Sequence, residues 1–194
     1  MEIFKKDDIP AGLLPGDSPF RFSCLAYYYT REDTSGEGEN KEEDTITATA
    51  GADRIGGILV FALQTFNGRQ NTDGESIKPS VSLLCYSLED KTFRLIDKIS
   101  NPSGGITCSN LTLDTTGRYA AIDLFQEGPE IKNYVLVYDI DSGEKVDIGS
   151  LLEIQDAFRN SVLWSENGLV FCARVEQQSM NYLYKPEMKK AEAF

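Results

Sequence analysis

From residue 107 to residue 149, apolar and polar positions trade places in four short runs, each closed by a turn. Residues 107–113 (TCSNLTL) come first, and Asp114-Thr115-Thr116-Gly117 follows. Asp can bond its own backbone in such a turn, and Gly can take the positive φ that closes it. Residues 118–125 (RYAAIDLF) alternate, with Ala120, Ile122 and Leu124 on one side and Tyr119, Ala121, Asp123 and Phe125 on the other. Gly128-Pro129 breaks the run. Residues 134–140 (YVLVYDI) are β-branched and aromatic, as a pleated surface favours. Asp141-Ser142-Gly143 turns the chain again, and residues 144–148 make a short fourth strand. Four antiparallel strands joined by three turns are a meander. It cannot bury both faces alone, so it must stack on copies of itself or on another sheet.

Copies are visible. Gly57, Gly117 and Gly168 each open an apolar strand, at intervals of 60 and 51 residues. The third-strand pattern returns as residues 82–88 (SLLCYSL) and 181–184 (NYLY), with Tyr86 and Tyr138 52 apart. A period near fifty falls in the range of propeller blades. Strands are also expected over residues 20–30 (FRFSCLAYYYT), 45–50 (TITATA), 58–65, 81–88 and 92–99. Ser150 with Glu153 makes a capping box and predicts one helix over 151–159. Asn167-Gly168 is the best hairpin turn in the chain. Residues 1–19 read as an irregular arm broken by Pro10, Pro15 and Pro19, and residues 186–194 as a last strand or a frayed helix. The expected architecture is a single all-β domain over 1–194. Its repeat-like units span about 20–100, 106–149 and 160–194, as tandem four-stranded antiparallel meanders in an incomplete or partial β-propeller. A β-sandwich or barrel is the alternative.

Residues 113–121 (LDTTGRYAA) and 162–171 (VLWSENGLVF) resemble the blade signature of TolB-like and prolyl-peptidase-like β-propellers, a WD40-like kind of repeat. In those families an aromatic or aliphatic residue precedes a Ser/Asp-x-x-Gly turn and a hydrophobic strand. Residues 138–144 (YDIDSGE) are similar to their third-strand ending. The chain departs from the pattern in lacking the usual Asp-Gly pair and the WD dipeptide. Its three units also fall short of the roughly four to eight blades of a closed ring. With so few units, the resemblance implies either a partial propeller that pairs with a protein partner or a second copy to complete the stack of sheets, or a fragment of a longer polypeptide.

Composition narrows the chemistry. The net charge of −12, from 31 acidic and 19 basic residues, argues against a nucleic-acid groove or an anionic membrane surface. No apolar run approaches a membrane span. The start (MEIFKKDD) has no h-region, so the cytoplasm is the expected compartment; a removed signal peptide would leave the same start. The chain has no histidine, which removes the Ser-His-Asp triad, the Cys-His pair and every His-containing metal site. Cys24, Cys85, Cys108 and Cys172 lie far apart inside apolar strands and are expected to be small buried hydrophobes with reduced thiols. A disulfide between neighbouring strands is the alternative for an exported protein.

No catalytic set, metal site or cofactor motif stands out. Residues 31–44 hold seven carboxylates and are expected to be a mobile solvated loop rather than a calcium site. Residues 67–79 form a second long polar loop. Asp123 is the most informative single residue, because a carboxylate inside a strand is costly unless paired. Arg174 is its candidate partner across the repeat. Tyr27, Tyr28 and Tyr29 put aromatics on both faces of one strand and are candidates for an interface or for sugar stacking. Asp139, Asp141 and Glu144 are expected to be turn chemistry. The glycosylation pattern at Asn110-Leu111-Thr112 is discounted as part of an inner strand. The functional expectation is a non-enzymatic protein-interaction or scaffold module. The alternative is a carbohydrate- or small-ligand-binding all-β protein, with carboxylate-dependent hydrolysis within its range.

Overall fold

The computed structural model describes residues 2–14, 20–31, 39–42, 45–48, 54–65, 78–129, 131–153, 158–175 and 178–194. The chain opens with β1 (Glu2–Lys5) and two 3-10 turns, Lys6–Asp8 and Ala11–Leu13. Then come β2 (Phe20–Arg31), β3 (Glu39–Glu42), β4 (Thr45–Ala48), β5 (Arg54–Thr65), β6 (Ser80–Ser87) and β7 (Thr92–Ser100). The middle of the chain supplies β8 (Ile106–Leu113), β9 (Tyr119–Gln126), β10 (Lys132–Asp139), β11 (Lys145–Asp147) and the one-turn helix α1 (Ile148–Leu151). The last part holds β12 (Phe158–Ser165), β13 (Gly168–Val175), β14 (Gln178–Lys185), a 3-10 turn Pro186–Met188 and β15 (Lys190–Ala193).

These strands make three four-stranded antiparallel sheets: β2-β5-β6-β7, β8-β9-β10-β11 and β12-β13-β14-β15. A fourth, three-stranded sheet runs β1-β4-β3. Among the described residues no hydrogen-bonded ladder joins one sheet to the next, so the barrel alternative falls. The meander over 106–147 forms as its alternation requires. Its first turn is closed by the Asp114 carboxylate, which accepts from the amides of Thr116 (3.2 Å) and Tyr119 (2.8 Å). Gly57, Gly117 and Gly168, the repeated strand openers, all take positive φ (145°, 75° and 132°). A Cβ on Gly168 would lie 2.3 Å from the Tyr184 carbonyl oxygen, so only glycine fits there.

The three sheets stack face to face and meet most closely along their first strands, β2 against β8 and β8 against β12. Each gap holds a core. Val60, Ala62, Val81 and Leu83 of the first sheet pack against Ile106, Ala120, Ile122, Leu124, Leu136 and Tyr138 of the second. Ala121, Val135 and Val137 face the other way, onto Val162, Leu169, Phe171, Tyr182 and Tyr184 of the third. The period-two alternation of 118–125 thus divides β9 between two cores.

Three expectations need correction. Of the helix predicted over 151–159, residues 154–157 lie outside the described residues; the described helix is a single turn over 148–151, capped by the Asp147 side chain, which accepts from the Ser150 amide at 3.2 Å. Residues 158–159 already belong to β12, whose pairing with β13 outweighs the local capping signal. The arm is not wholly irregular, since β1 pairs with β4 and both Phe4 and Ile9 are buried. The acidic stretch is not wholly loop either: Glu39–Glu42 pairs with β4 at the edge of the small sheet, where charged side chains are compatible with an unpaired outer edge. Apart from Arg31, the rest of that stretch lies outside the described residues, as do residues 67–77 of the polar loop expected over 67–79. The tail takes the strand form, as β15.

Candidate interaction surface

The seams between sheets carry the polar side chains that bridge repeats. At the first seam, Asp97 of β7 accepts from the Tyr138 hydroxyl (2.9 Å) and the Lys145 ammonium (2.7 Å) of the second sheet. Burial pushes the Asp97 carboxyl up, but the hydrogen bonds from Lys145 and Tyr138 outweigh it and hold the group below the usual carboxylate range. Burial, followed by the adjacent Asp97 charge, pushes the Tyr138 phenol up. Gln64 donates to the Thr107 hydroxyl at 3.2 Å, and the Arg94 guanidinium donates to the Ile140 carbonyl. At the second seam Asn110 donates to the Val162 carbonyl (3.2 Å), Trp164 to the Thr112 carbonyl (3.3 Å), and Lys189 pairs with Glu144.

Two clefts open at the same end of consecutive seams. The one between the first and second sheets is about 480 Å³, with Cys85, Thr92, Arg94, Arg118 and Asp141 in its walls. The one between the second and third is about 300 Å³, with Tyr119, Asp139, Glu144, Tyr184 and Lys189. Arg118 lines both and is clamped by Asp139, whose Oδ2 accepts from Nε (3.0 Å) and Nη2 (2.8 Å). The other Asp139 oxygen accepts from the amides of Asp141 and Ser142, both at 3.0 Å. The Asp139–Asp141–Glu144 group is therefore turn and ion-pair chemistry. Among the described residues no three His, Cys, Asp or Glu side chains gather as metal ligands.

Asp123 lies on the face of the second sheet turned to the third, between Asn110 and Val135 in the ladder. It is 1% exposed, and among the described residues neither carboxylate oxygen accepts a hydrogen bond. Burial alone pushes the carboxyl up to about 6. The expected pair with Arg174 does not form. Ala173 packs into the core between the second and third sheets, so Arg174, its neighbour on a pleated strand, points to the opposite face and is exposed. Tyr27, Tyr28 and Tyr29 pair through their backbones with Leu59, Ile58 and Gly57 in β5; their side chains lie outside the described residues. The Asn110 amide is taken up by the second seam.

The surface that sequence reasoning missed is the outer face of the third sheet. Residues alternating with the buried Val162, Leu169, Phe171 and Tyr184 point outward there: Leu163, Val170, Leu183 and Cys172. Leu163, Val170 and Leu183 stand in one row across three strands, and Leu163 is 66% exposed. Arg174, Lys185 and Lys190 share this face with the Glu192 carboxylate, the one acidic side chain on it among the described strand residues, which pairs with Lys190 at 2.8 Å. A chain of net charge −12 thus presents cations around an apolar row that includes the exposed Leu163. The signal was present in the alternation of residues 162–171, though alternation alone does not tell a covered face from an open one.

Comparison with known protein families and with characterised proteins finds no match to this chain. No helix among the described residues is long and apolar enough to cross a membrane.

Proposed function

We propose that this chain is a non-enzymatic interaction module built of propeller-like wedges, of the TolB-like or WD40-like kind. Another polypeptide completes the stack by packing on the outer face of the third sheet. The observation that carries this reading is the row of exposed Leu163 with half-buried Val170 and Leu183, covered by no other segment among the described residues, while the corresponding face of the first sheet is covered by the N-terminal arm. Charge chooses the occupant. Among the described strand residues, three cations against one carboxylate favour a different protein whose contacting face is apolar at its centre and rimmed by Asp and Glu, over a second copy with the same cationic rim. The isolation of Asp123 supports binding over paired-carboxylate hydrolysis, because burial alone perturbs it and no second acid contributes.

The test places a benzophenone amino acid at position 163 in the native host, with the exposed Ile131 as the control position. The expected result is one cross-linked partner, joined through a peptide that carries carboxylates beside apolar residues. The adduct should be lost in the double variant Arg174→Glu, Lys190→Glu. Adducts to a second copy alone, or labelling no more selective than from position 131, would overturn the reading.

A further inference from the structure

We infer that Cys24 and Cys108 are a redox-active pair that closes to a disulfide and staples the first sheet to the second. The two residues sit on β2 and β8, the first strands along which these sheets meet. The Cys24 thiol donates to the Cys108 carbonyl oxygen at 3.4 Å, and both side chains belong to the core between the two sheets. The Cys24 thiol is also the largest influence on Cys108, pushing it up, with burial next.

The backbone is built to aim both sulfurs into this seam. β2 carries a bulge between Phe22 and Cys24, and β8 carries one between Cys108 and Asn110. In a regular strand, residues two apart share a face. Here Phe22 packs on the outer face of the first sheet while Cys24 faces the second. Asn110 likewise reaches the third sheet while Cys108 faces the first. A bulge re-aims a side chain at a cost in ladder bonds. Two bulges, one beside each cysteine, turn the pair toward each other.

No disulfide joins any of the four cysteines in this structure, so closure needs an oxidant, and a small-molecule disulfide such as oxidised glutathione supplies it. Cys24 is half-buried and Cys108 buried, which sets the order. The Cys24 thiolate attacks the glutathione disulfide, forming a mixed disulfide and releasing one glutathione thiolate. Cys108 gives its proton to solvent and attacks the Cys24 sulfur, forming the Cys24–Cys108 bond and releasing the second glutathione. Two protein thiols are oxidised and one disulfide is reduced to two thiols. With Cys24 consumed in the mixed disulfide, burial still pushes the Cys108 thiol up, so the second step is the slow one. The bond closes a loop across 84 positions and ties the first sheet to the second independently of any partner on the third.

The full chain is incubated with oxidised glutathione or with dithiothreitol, alkylated, and digested without reduction for mass spectrometry. The expected result is a cross-linked peptide pair containing Cys24 and Cys108, lighter by two hydrogens, with Cys85 and Cys172 still alkylated. The melting temperature should rise only in the oxidised sample, and Cys24→Ser should abolish the rise while Cys172→Ser leaves it. Four alkylated thiols, a persistent glutathione adduct on Cys24, or a bond to Cys85 or Cys172 would overturn the inference. Peptide mapping of the unaltered protein decides the matter even if a serine variant fails to fold.

Discussion

The outer faces of the first and third sheets are the same surface of the same kind of meander, met by different surroundings. On the first sheet Leu59, Phe61, Leu63, Leu84 and Tyr86 are all buried beneath the arm. Phe4 reaches down to three rings there, with centroids 5.4 Å from Phe61, 5.0 Å from Tyr86 and 4.9 Å from Phe93. On the third sheet the equivalent face has no arm among the described residues, and its side chains are smaller and flanked by charge. Large aromatics stand where something covers them, and a thin aliphatic row with a cationic rim stands where nothing described does. Stacked repeats need a terminal cap of this kind, and here one end of the stack supplies its own.

The hardest way to break the contrast is to hollow the covered side. Phe61→Ala, at a fully buried position, should cost about 3–5 kcal/mol in urea unfolding. The next effect lies at the second seam and depends on pH. The Asp123 carboxyl moves from 3.8 to about 6 on folding, so the folded state holds the proton more tightly than the unfolded one. Burial of Asp123 is therefore tolerated below about pH 4, and stability is lost as pH rises through 6. At about 1.4 kcal/mol per pKa unit the penalty at neutral pH is about 3 kcal/mol. Asp123→Asn should raise the unfolding midpoint at pH 7 and leave it nearly unchanged at pH 4, which parallel denaturation curves would check. A pH-independent change would show that the carboxyl finds a partner in solution.

Tyr138→Phe sharpens the comparison at the first seam. It removes one hydrogen bond to Asp97 while Lys145 remains, for a loss of about 1 kcal/mol. The smallest expected effect is Leu163→Lys on the open face, within about 0.5 kcal/mol in stability. If Leu163→Lys destabilises the isolated chain as Phe61→Ala does, the third sheet is not open in solution.

Strand positions and the three units were legible because pleating imposes a period of two, and because turns demand Asp and Gly where Asp114 and Gly117 stand. The division of β9 between two cores could be read directly from residues 118–125. The helix over 151–159 failed because a capping box is worth little against a strand ladder. The arm was under-read because Phe4 and Ile9 carry no periodicity in so short a segment. Asp123 was recognised as unusual, yet the pairing expected with Arg174 does not form, since facing depends on register and on which residue of β13 turns inward. The open face was hidden for a related reason: sequence shows that a side is apolar, whereas exposure depends on what other segments reach it.

The arm has a consequence for biosynthesis. Phe4 leaves the ribosome early, but the rings it packs on stand at positions 61, 86 and 93, so its docking site is completed only after most of the first sheet has been synthesised. Until then the nascent sheet carries a greasy flank with nothing on it, a species prone to clumping. A segment translated ahead of the first sheet is thus seated after it, and it works as a built-in closure for that vulnerable interval.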